Sequence, residues 1–140
     1  MAKILVVEDE KSVQDLVKYC LEADGYMVVT ADDGKMASSW IKEIKFDLAI
    51  LDLCLPDANG IEICASIKED PKTRATPVII LTGNSSNEAR IKSNLEAKAD
   101  LFLNKPISPD DLRSAVKTML AAAEKKKLLL RNSIRTKLGE

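Results

Sequence analysis

Four apolar runs of the chain end in, or are followed by, polar side chains that could take part in chemistry. In chain order these side chains are Glu8 and Asp9, Asp52, Thr82 and Lys105. The set contains carboxylates, a hydroxyl and an amine. Such a combination could hold a divalent cation and handle a phosphoryl group.

Each member of the set has a chemical use. Neighbouring carboxylates repel one another unless a cation neutralises them, and Mg²⁺ takes one or two carboxylates together with phosphate oxygens. A carboxylate such as Asp52 can also act as a nucleophile and form an acyl phosphate. The transferred group needs positive charge on its equatorial oxygens, which Mg²⁺ and Lys105 would supply, and the Thr82 hydroxyl can donate a hydrogen bond to it.

Taken singly, these residues also have purely structural interpretations. An acidic pair after a strand commonly caps the next helix, and an aspartate in an apolar run can serve a structural salt bridge. A lone threonine is usually a turn or cap hydroxyl, and a lone lysine is usually solvated. Their joint occurrence at the ends of successive apolar runs is what favours a site.

The apolar runs alternate with amphipathic segments. The runs predicted to be strands are 3–7, 26–31, 48–53, 77–81 and 101–103. The segments predicted to be helices are 12–23, 35–44, 61–68, 87–97 and a last one that begins after the capping residue Ser108. Gly25 is expected to end the first helix.

Helical periodicity also predicts which side chains face inward. For the first helix these are Val13, Leu16, Val17, Cys20 and Leu21, for the second Met36, Ala37, Trp40, Ile41 and Ile44, and for the last Leu112, Val116, Met119, Leu120 and Ala123. Trp40 is expected to pack in the core. Cys20 and Cys64 are expected to be small core residues.

Five strands alternating with five helices predict an α/β fold with a parallel sheet covered on both faces. Right-handed crossovers leave few topologies, and a doubly wound, flavodoxin-like (βα)5 sheet with strand order 2-1-3-4-5 is a common solution. Ligands bind such sheets beyond the carboxyl ends of the strands. The fold would therefore bring the acids, Thr82 and Lys105 to one rim.

Bulk composition excludes several classes of protein. The 140 residues are 46% hydrophobic and 31% charged, which is typical of a globular domain. No apolar run reaches the roughly 18 residues of a membrane span, and the N-terminus does not resemble a signal peptide, so a cytoplasmic location is expected. Because the chain has no histidine, it cannot form a Ser-His-Asp triad or a phosphohistidine relay.

Four motifs resemble those of the response-regulator receiver family over about residues 2–122. They are ILVVEDE at 4–10, DLAILDLCLPDANG at 47–60, PVIILTG at 77–83 and ADLFLNKP at 99–106. The resemblance implies that Asp52 is the phosphoacceptor. It also implies that Asp9, Asp52 and the backbone carbonyl of Cys54 ligate Mg²⁺, with Glu8 acting through water.

The same resemblance implies a switch. Thr82 would be the switch hydroxyl, and Phe102 would be the aromatic that changes rotamer where many members have tyrosine. Lys105 would contact the phosphoryl group, next to a cis bond to Pro106. A histidine kinase or histidine phosphotransfer protein would donate the phosphoryl group. Phosphorylation would then repack the face of the fourth helix, fifth strand and last helix, and so control a downstream protein or an output domain.

Beyond the receiver domain expected over 1–122, residues 123–140 are expected to form a basic amphipathic helical extension. This segment has six basic residues and two acidic ones, whereas the whole chain carries a net charge of −1. Leu130, Ile134 and Leu138 recur at every fourth residue. The pattern predicts a long helix that begins a linker, pairs with another copy or docks to a partner. Nucleic-acid contact is disfavoured, because no aromatic side chain is interleaved.

Three rival functions remain open. A haloacid-dehalogenase-type phosphatase would also use a strand-end aspartate and Mg²⁺, but it usually needs a second aspartate where this chain has Cys54. A flavin carrier on the same architecture would place its anionic cofactor against the acids at residues 8–10, which is unfavourable. A degenerate receiver would bind partners without phosphorylation.

Overall fold

The computed structural model describes residues 1–83 and 99–139. In chain order the elements are β1 (Lys3–Val7), α1 (Lys11–Ala23), β2 (Met27–Ala31), α2 (Gly34–Glu43), β3 (Leu48–Asp52), α3 (Gly60–Glu69), β4 (Val78–Thr82), β5 (Leu101–Asn104) and a C-terminal helix (Pro109–Lys137). The helix predicted over 87–97 lies outside the described residues. The other predicted elements are present, with boundaries that differ only slightly from those predicted.

The five strands form one parallel sheet in the order β2-β1-β3-β4-β5, which confirms the predicted topology. Val7 at the end of β1 pairs with Ala31 of β2 and Leu51 of β3. Asp52 pairs in turn with Leu81, one residue before the end of β4. The strands therefore end in step, and the residues that follow them share one rim of the sheet.

The central strands are buried because both faces of the sheet are covered. Alternate strand residues pack into two apolar clusters, one beneath α2 and α3 and the other beneath α1 and the C-terminal helix. Cys64 lies in the first cluster and Cys20 in the second, as expected for small core residues. Burial raises the pKa of the Cys64 thiol to about 11, so this sulfur stays protonated.

Two of the predicted inward positions are wrong. Leu16 on α1 is 39% exposed and Met36 on α2 is 40% exposed. In α1, Gln14 is buried instead of Leu16 and is only 2% exposed. Its amide can be buried because it donates hydrogen bonds to acceptors beside β1 and β2. Met36 lies in the first turn of α2, whose buried residues are Gly34 and Ala37.

The helix ends follow the predicted chemistry. Gly25 has a φ of +90° directly after α1, a conformation that favours glycine. The Ser108 hydroxyl accepts a hydrogen bond from the Asp111 N–H at the start of the C-terminal helix. The start of α2 receives a carboxylate from elsewhere in the chain, since Asp57 accepts hydrogen bonds from Gly34 N (2.7 Å) and Lys35 N (3.0 Å).

Asp57 should make the stability of the domain depend on acid pH. The hydrogen bond from Gly34, reinforced by the one from Lys35, lowers the pKa of Asp57 below its usual 3.8. The stabilisation is therefore complete above about pH 4 and is lost as the pH falls through the lower folded-state pKa. Asp57→Asn should melt a few degrees below the wild type at pH 7. The difference should vanish in strong acid, whereas Asp15→Asn on the exposed side of α1 should match the wild type throughout.

The C-terminal helix extends beyond the sheet. Leu112 and Val116 bury its first turns, and Met119 and Leu120 are half-buried against the core. The described residues from 124 onward are all exposed. They include the apolar residues Leu128, Leu129, Leu130, Ile134 and Leu138, which are 52–69% exposed. The helix is continuous through residues 122 and 123, where the sequence predicts a boundary. None of the described helices has the length and apolarity to cross a membrane.

Candidate functional site

Three carboxylates meet where β1 and β3 end. Oxygens from Glu8, Asp9 and Asp52 all lie within 4.8 Å of one another. Glu8 is fully buried and Asp52 is 4% exposed, while Asp9 faces solvent. Because β1 is hydrogen-bonded directly to β3, the residues that follow Val7 necessarily lie beside Asp52. The convergence of the three acids predicted from the sequence is therefore present.

Lys105 brings a positive charge to these acids. Its Nζ lies 3.0 Å from Glu8 Oε2 and 3.3 Å from Asp52 Oδ1. Its backbone N–H donates to the carbonyl of Thr82 at 2.7 Å, which ties the chain after β5 to the end of β4. The peptide bond to Pro106 is cis, as the resemblance implied. Lys105 thus bridges two of the carboxylates.

Thr82 and Phe102 lie on the two neighbouring strands. Thr82 is buried at the end of β4, and its hydroxyl donates to the carbonyl of Gly83 at 3.1 Å. Phe102 is half-buried and packs against the apolar cluster beneath α2 and α3. Cys54 is exposed, its N–H donates to Asp52 Oδ1 at 3.4 Å, and a β-bridge to Asn59 fixes its backbone.

The electrostatics of the site favour a further cation. Burial and the charge of Glu8 raise the pKa of Asp52 from 3.8 to about 7, although Lys105 acts in the opposite direction. Burial alone would lower the pKa of Lys105, but the hydrogen bond to Glu8 and the charge of Asp52 outweigh it and raise that pKa. One lysine therefore does not neutralise the cluster.

The donor set fits Mg²⁺. All three side chains offer carboxylate oxygens, the hard ligands that this ion prefers, and a second positive charge would favour the ionised form of Asp52. Asp9 is accessible from solvent, so water can remain on an ion held there. The geometry supports a cation site built from Asp9 and Asp52, with Glu8 close behind.

Backbone contacts hold the acidic turn, and sequence reasoning missed them. Glu8 Oε1 accepts from the Glu10 N–H at 3.1 Å, and the Glu8 carbonyl accepts from Gln14 Nε2 at 2.9 Å. The same Nε2 donates to Asp32 Oδ1 at 2.9 Å. A signal was present, because Gln14 occupies the same helical face as Val17 and Leu21. A polar residue on an inward face calls for a buried partner.

The fold and the acidic rim define a class of protein. Among solved structures, a response regulator receiver domain protein (CheY-like) from Methanospirillum hungatei aligns with 90% of this chain and 98% of its own, with 32% identity and a TM-score of 0.81. NtrX from Brucella abortus aligns with 96% of this chain but only 30% of its own, with 28% identity and a TM-score of 0.85.

Sequence comparison identifies the family. The model of the response regulator receiver domain matches residues 4–117, and the chain belongs to this family, whose members act in two-component systems. The phosphate regulon transcriptional regulatory protein PhoB of Rhizobium meliloti is 39% identical over 89% of this chain and 54% of its own length. For the alkaline phosphatase synthesis transcriptional regulatory protein PhoP of Bacillus subtilis the figures are 38%, 87% and 50%. The chain spans about half the length of these relatives.

Gly60 allows β3 and α3 to approach closely at the site. A Cβ at this position would lie 2.5 Å from the Asp52 carbonyl oxygen and 3.2 Å from Leu53 Cα. Both are backbone atoms, so relief requires the end of β3 to move. Gly60→Ala should therefore cost about 2 kcal/mol or more and should also weaken Mg²⁺ binding. Chemical denaturation and a Mg²⁺ titration of the variant would measure both effects.

Gly25→Ala is the matched control for this prediction. Its added Cβ would have no atom of residues 1–83 or 99–139 within 4 Å, but the φ of +90° is strained for alanine. It should cost about 1 kcal/mol and leave Mg²⁺ binding unchanged. Equal stability of Gly60→Ala and the wild type would contradict the close approach.

Proposed function

We propose that this domain is a phosphoacceptor switch, in which Asp52 receives a phosphoryl group from a histidine kinase or histidine phosphotransfer protein in the cytoplasm. The observation that carries the proposal is the position of Asp52, buried among carboxylates with Lys105 Nζ 3.3 Å from its Oδ1. Because its charge is only partly neutralised, the Asp52 carboxylate can ligate a metal ion, and one of its oxygens can form a bond to phosphorus.

The residues divide the chemistry between them. Asp9, Asp52 and the Cys54 carbonyl would hold Mg²⁺, with Glu8 acting through water. When bound, Mg²⁺ would supply positive charge to the phosphoryl oxygens. An oxygen of Asp52 attacks phosphorus, and the bond to the donor breaks with its electron pair leaving on the donor. Lys105 would then move from the carboxylates to a phosphoryl oxygen.

The response would be carried by Thr82 and Phe102. The Thr82 hydroxyl, which donates to the Gly83 carbonyl, would instead donate to a phosphoryl oxygen. The space that it leaves would bias the packing of Phe102. A two-state element of this kind can relay a local charge to a surface. We propose that the surface comprises the predicted helix 87–97, β5 and the C-terminal helix.

PhoB and PhoP are transcriptional regulatory proteins by name, and the part of each that this chain matches is only 54% and 50% of its length. We propose that this domain likewise controls an output domain or a separate protein partner. Within the proposal, residues 1–122 form the receiver and residues 123–140 form the helical extension. The extension or the switch surface could also join two copies of the chain.

Labelling by a small phosphodonor tests the proposal. The chain should gain one phosphoryl group from acetyl phosphate in the presence of Mg²⁺, and none when EDTA removes the metal. Intact mass spectrometry measures the gain, and peptide mapping after borohydride reduction locates it at Asp52. Failure of every small phosphodonor to label the chain would overturn the proposal.

The rival functions give different results with the same protein. A phosphatase would release phosphate catalytically from p-nitrophenyl phosphate, whereas the receiver should not turn over that ester. A haloacid-dehalogenase-type phosphatase usually needs a second aspartate two residues after the nucleophile. This chain has Cys54 there, which lacks the carboxyl group. A flavin carrier would purify with the visible absorption of its cofactor.

A further inference from the structure

A buried amide connects the acidic turn after β1 to the end of β2. Gln14 Nε2 donates to the Glu8 carbonyl at 2.9 Å and to Asp32 Oδ1, also at 2.9 Å. The side chain is 2% exposed, so both amide hydrogens are used away from bulk water. Lys11 Nζ lies 3.3 Å from the amide oxygen. Gln14 thus ties α1 to the ends of β1 and β2, which the Glu8 N–H also joins by donating to the Ala31 carbonyl at 3.0 Å.

The acceptor that follows β1, the Glu8 carbonyl, directly precedes Asp9 in the chain. The Glu8 carbonyl belongs to the peptide bond that continues into Asp9, so its direction sets where the Asp9 side chain begins. The Glu8 side chain is fixed separately by the Glu10 N–H and by Lys105. Gln14 therefore restrains the carbonyl of the Glu8–Asp9 peptide bond, while the other two contacts restrain the Glu8 carboxylate.

Loss of the amide would leave costly groups behind. The Glu8 carbonyl would be buried without its side-chain donor, and the turn could relieve this by rotating the peptide bond toward another donor. Such a rotation would carry Asp9 away from Asp52. Outer contacts of this kind orient metal ligands in many sites, and their removal typically weakens metal binding about 10- to 100-fold.

We infer that Gln14 is a positioning residue of the metal site, which holds the turn of Glu8 and Asp9 in the geometry needed to bind a divalent cation. The inference rests on the proposed function. Its physical requirement is simple, since both partners are acceptors and the residue at position 14 must donate two hydrogen bonds.

The variants follow from that requirement. Gln14→Met keeps the length of the side chain but removes both donors, whereas Gln14→Arg keeps donors that can reach both acceptors. Asp32→Ala removes the hydrogen-bond acceptor that directly follows β2. Because Asp32 is exposed, this variant should fold even if Gln14→Met does not. Val17→Ala, on the same face of α1, is a control that loses core packing without touching the turn.

Isothermal titration calorimetry with MgCl₂ measures the dissociation constant, and thermal melts in EDTA measure stability without metal. The Kd of Gln14→Met should rise about tenfold or more, and that of Asp32→Ala should rise less. Gln14→Arg should restore Mg²⁺ binding to within about threefold of the wild type. Val17→Ala should melt at a lower temperature but bind Mg²⁺ as the wild type does.

Each contrary result has a distinct meaning. If the wild type binds Mg²⁺ and Gln14→Met binds it equally well, the inference is wrong and the proposed function is untouched. An equal loss in Gln14→Arg or Val17→Ala would show a structural role only and would also overturn it. A wild type that binds no Mg²⁺ would refute the proposed function, and the inference would fall with it.

Discussion

Asp52→Asn is expected to lose all phosphoryl labelling and, at the same time, to be more stable than the wild type at pH 8. Labelling is lost because asparagine has no carboxylate oxygen to attack phosphorus. Stability rises because the amide has nearly the same shape but carries no charge into the buried cluster. Lys105 keeps its ion pair with Glu8 in this variant.

The sign of the stability change follows from the pKa of Asp52, which is 3.8 in its ordinary state and about 7 in the fold. A raised pKa means that the folded state binds the proton more tightly than the unfolded state. Ionisation of Asp52 therefore lowers the free energy of unfolding. The reduction is greatest above about pH 7, becomes smaller between pH 7 and 4, and is absent below pH 4. The gain in Asp52→Asn should be on the order of 2 kcal/mol at pH 8 and should vanish near pH 4.

Thermal melts in EDTA across this pH range would measure the effect, and the acetyl phosphate assay would measure the loss of labelling. Asp15→Asn is the control, because Asp15 is 60% exposed on α1 and pairs only with Lys11 among the described ion pairs. It should label and melt like the wild type. A variant at position 52 that labels, or that is less stable at pH 8, would contradict the account of the site.

Lys105→Met is expected to change stability in the opposite direction. It removes the cation 3.0 Å from Glu8 and 3.3 Å from Asp52, and leaves their charges uncompensated. Breaking a buried ion pair in this way costs roughly 3–5 kcal/mol, and somewhat less here because Lys105 is 23% exposed. Millimolar Mg²⁺ should restore much of the loss, since the ion would neutralise the same carboxylates.

The rescue by Mg²⁺ distinguishes the site from ordinary packing. Lys68→Met is the matched control, because Lys68 pairs with Asp100 at 3.0 Å and lies away from the acidic rim. It also donates to the Thr76 carbonyl at 2.7 Å, so its loss should destabilise the domain. Mg²⁺ should not restore the stability of this control. Equal rescue of both variants would show that the ion acts elsewhere.

The sheet could be predicted because strands that are buried on both faces have short, continuous apolar sequences. The right-handedness of the crossover connections then limits the possible strand orders. The same logic placed Asp52 beside Glu8 and Asp9, since the ends of parallel strands share one rim. The orientation of α1 could not be predicted from periodicity alone. Leu16 fits the apolar pattern as well as Leu21 does, but the hydrogen bonds of Gln14 decide which side turns inward.

Contacts between polar residues remote in sequence were the other part that periodicity does not encode. Nothing in the local sequence of Asp57 indicates that it accepts hydrogen bonds from the first turn of α2. Likewise, the sequence predicts that Lys105 lies at the rim, but not that it bridges Glu8 and Asp52. Such contacts depend on distances across the rim of a few ångströms, and only the folded chain sets them.

The C-terminal helix would act as a lever, because its first turns are packed in the domain and its later turns are exposed. It is held in the domain from Leu112 to Leu120, and residues 124–137 continue as an exposed helix of roughly 20 Å at about 1.5 Å per residue. Tilting the exposed part by about 10° around Leu120 would displace its end by several ångströms. A small repacking of the core around the packed turns would thus give a larger displacement at the C-terminal end of the helix. Such a displacement would reorient a domain or partner attached there.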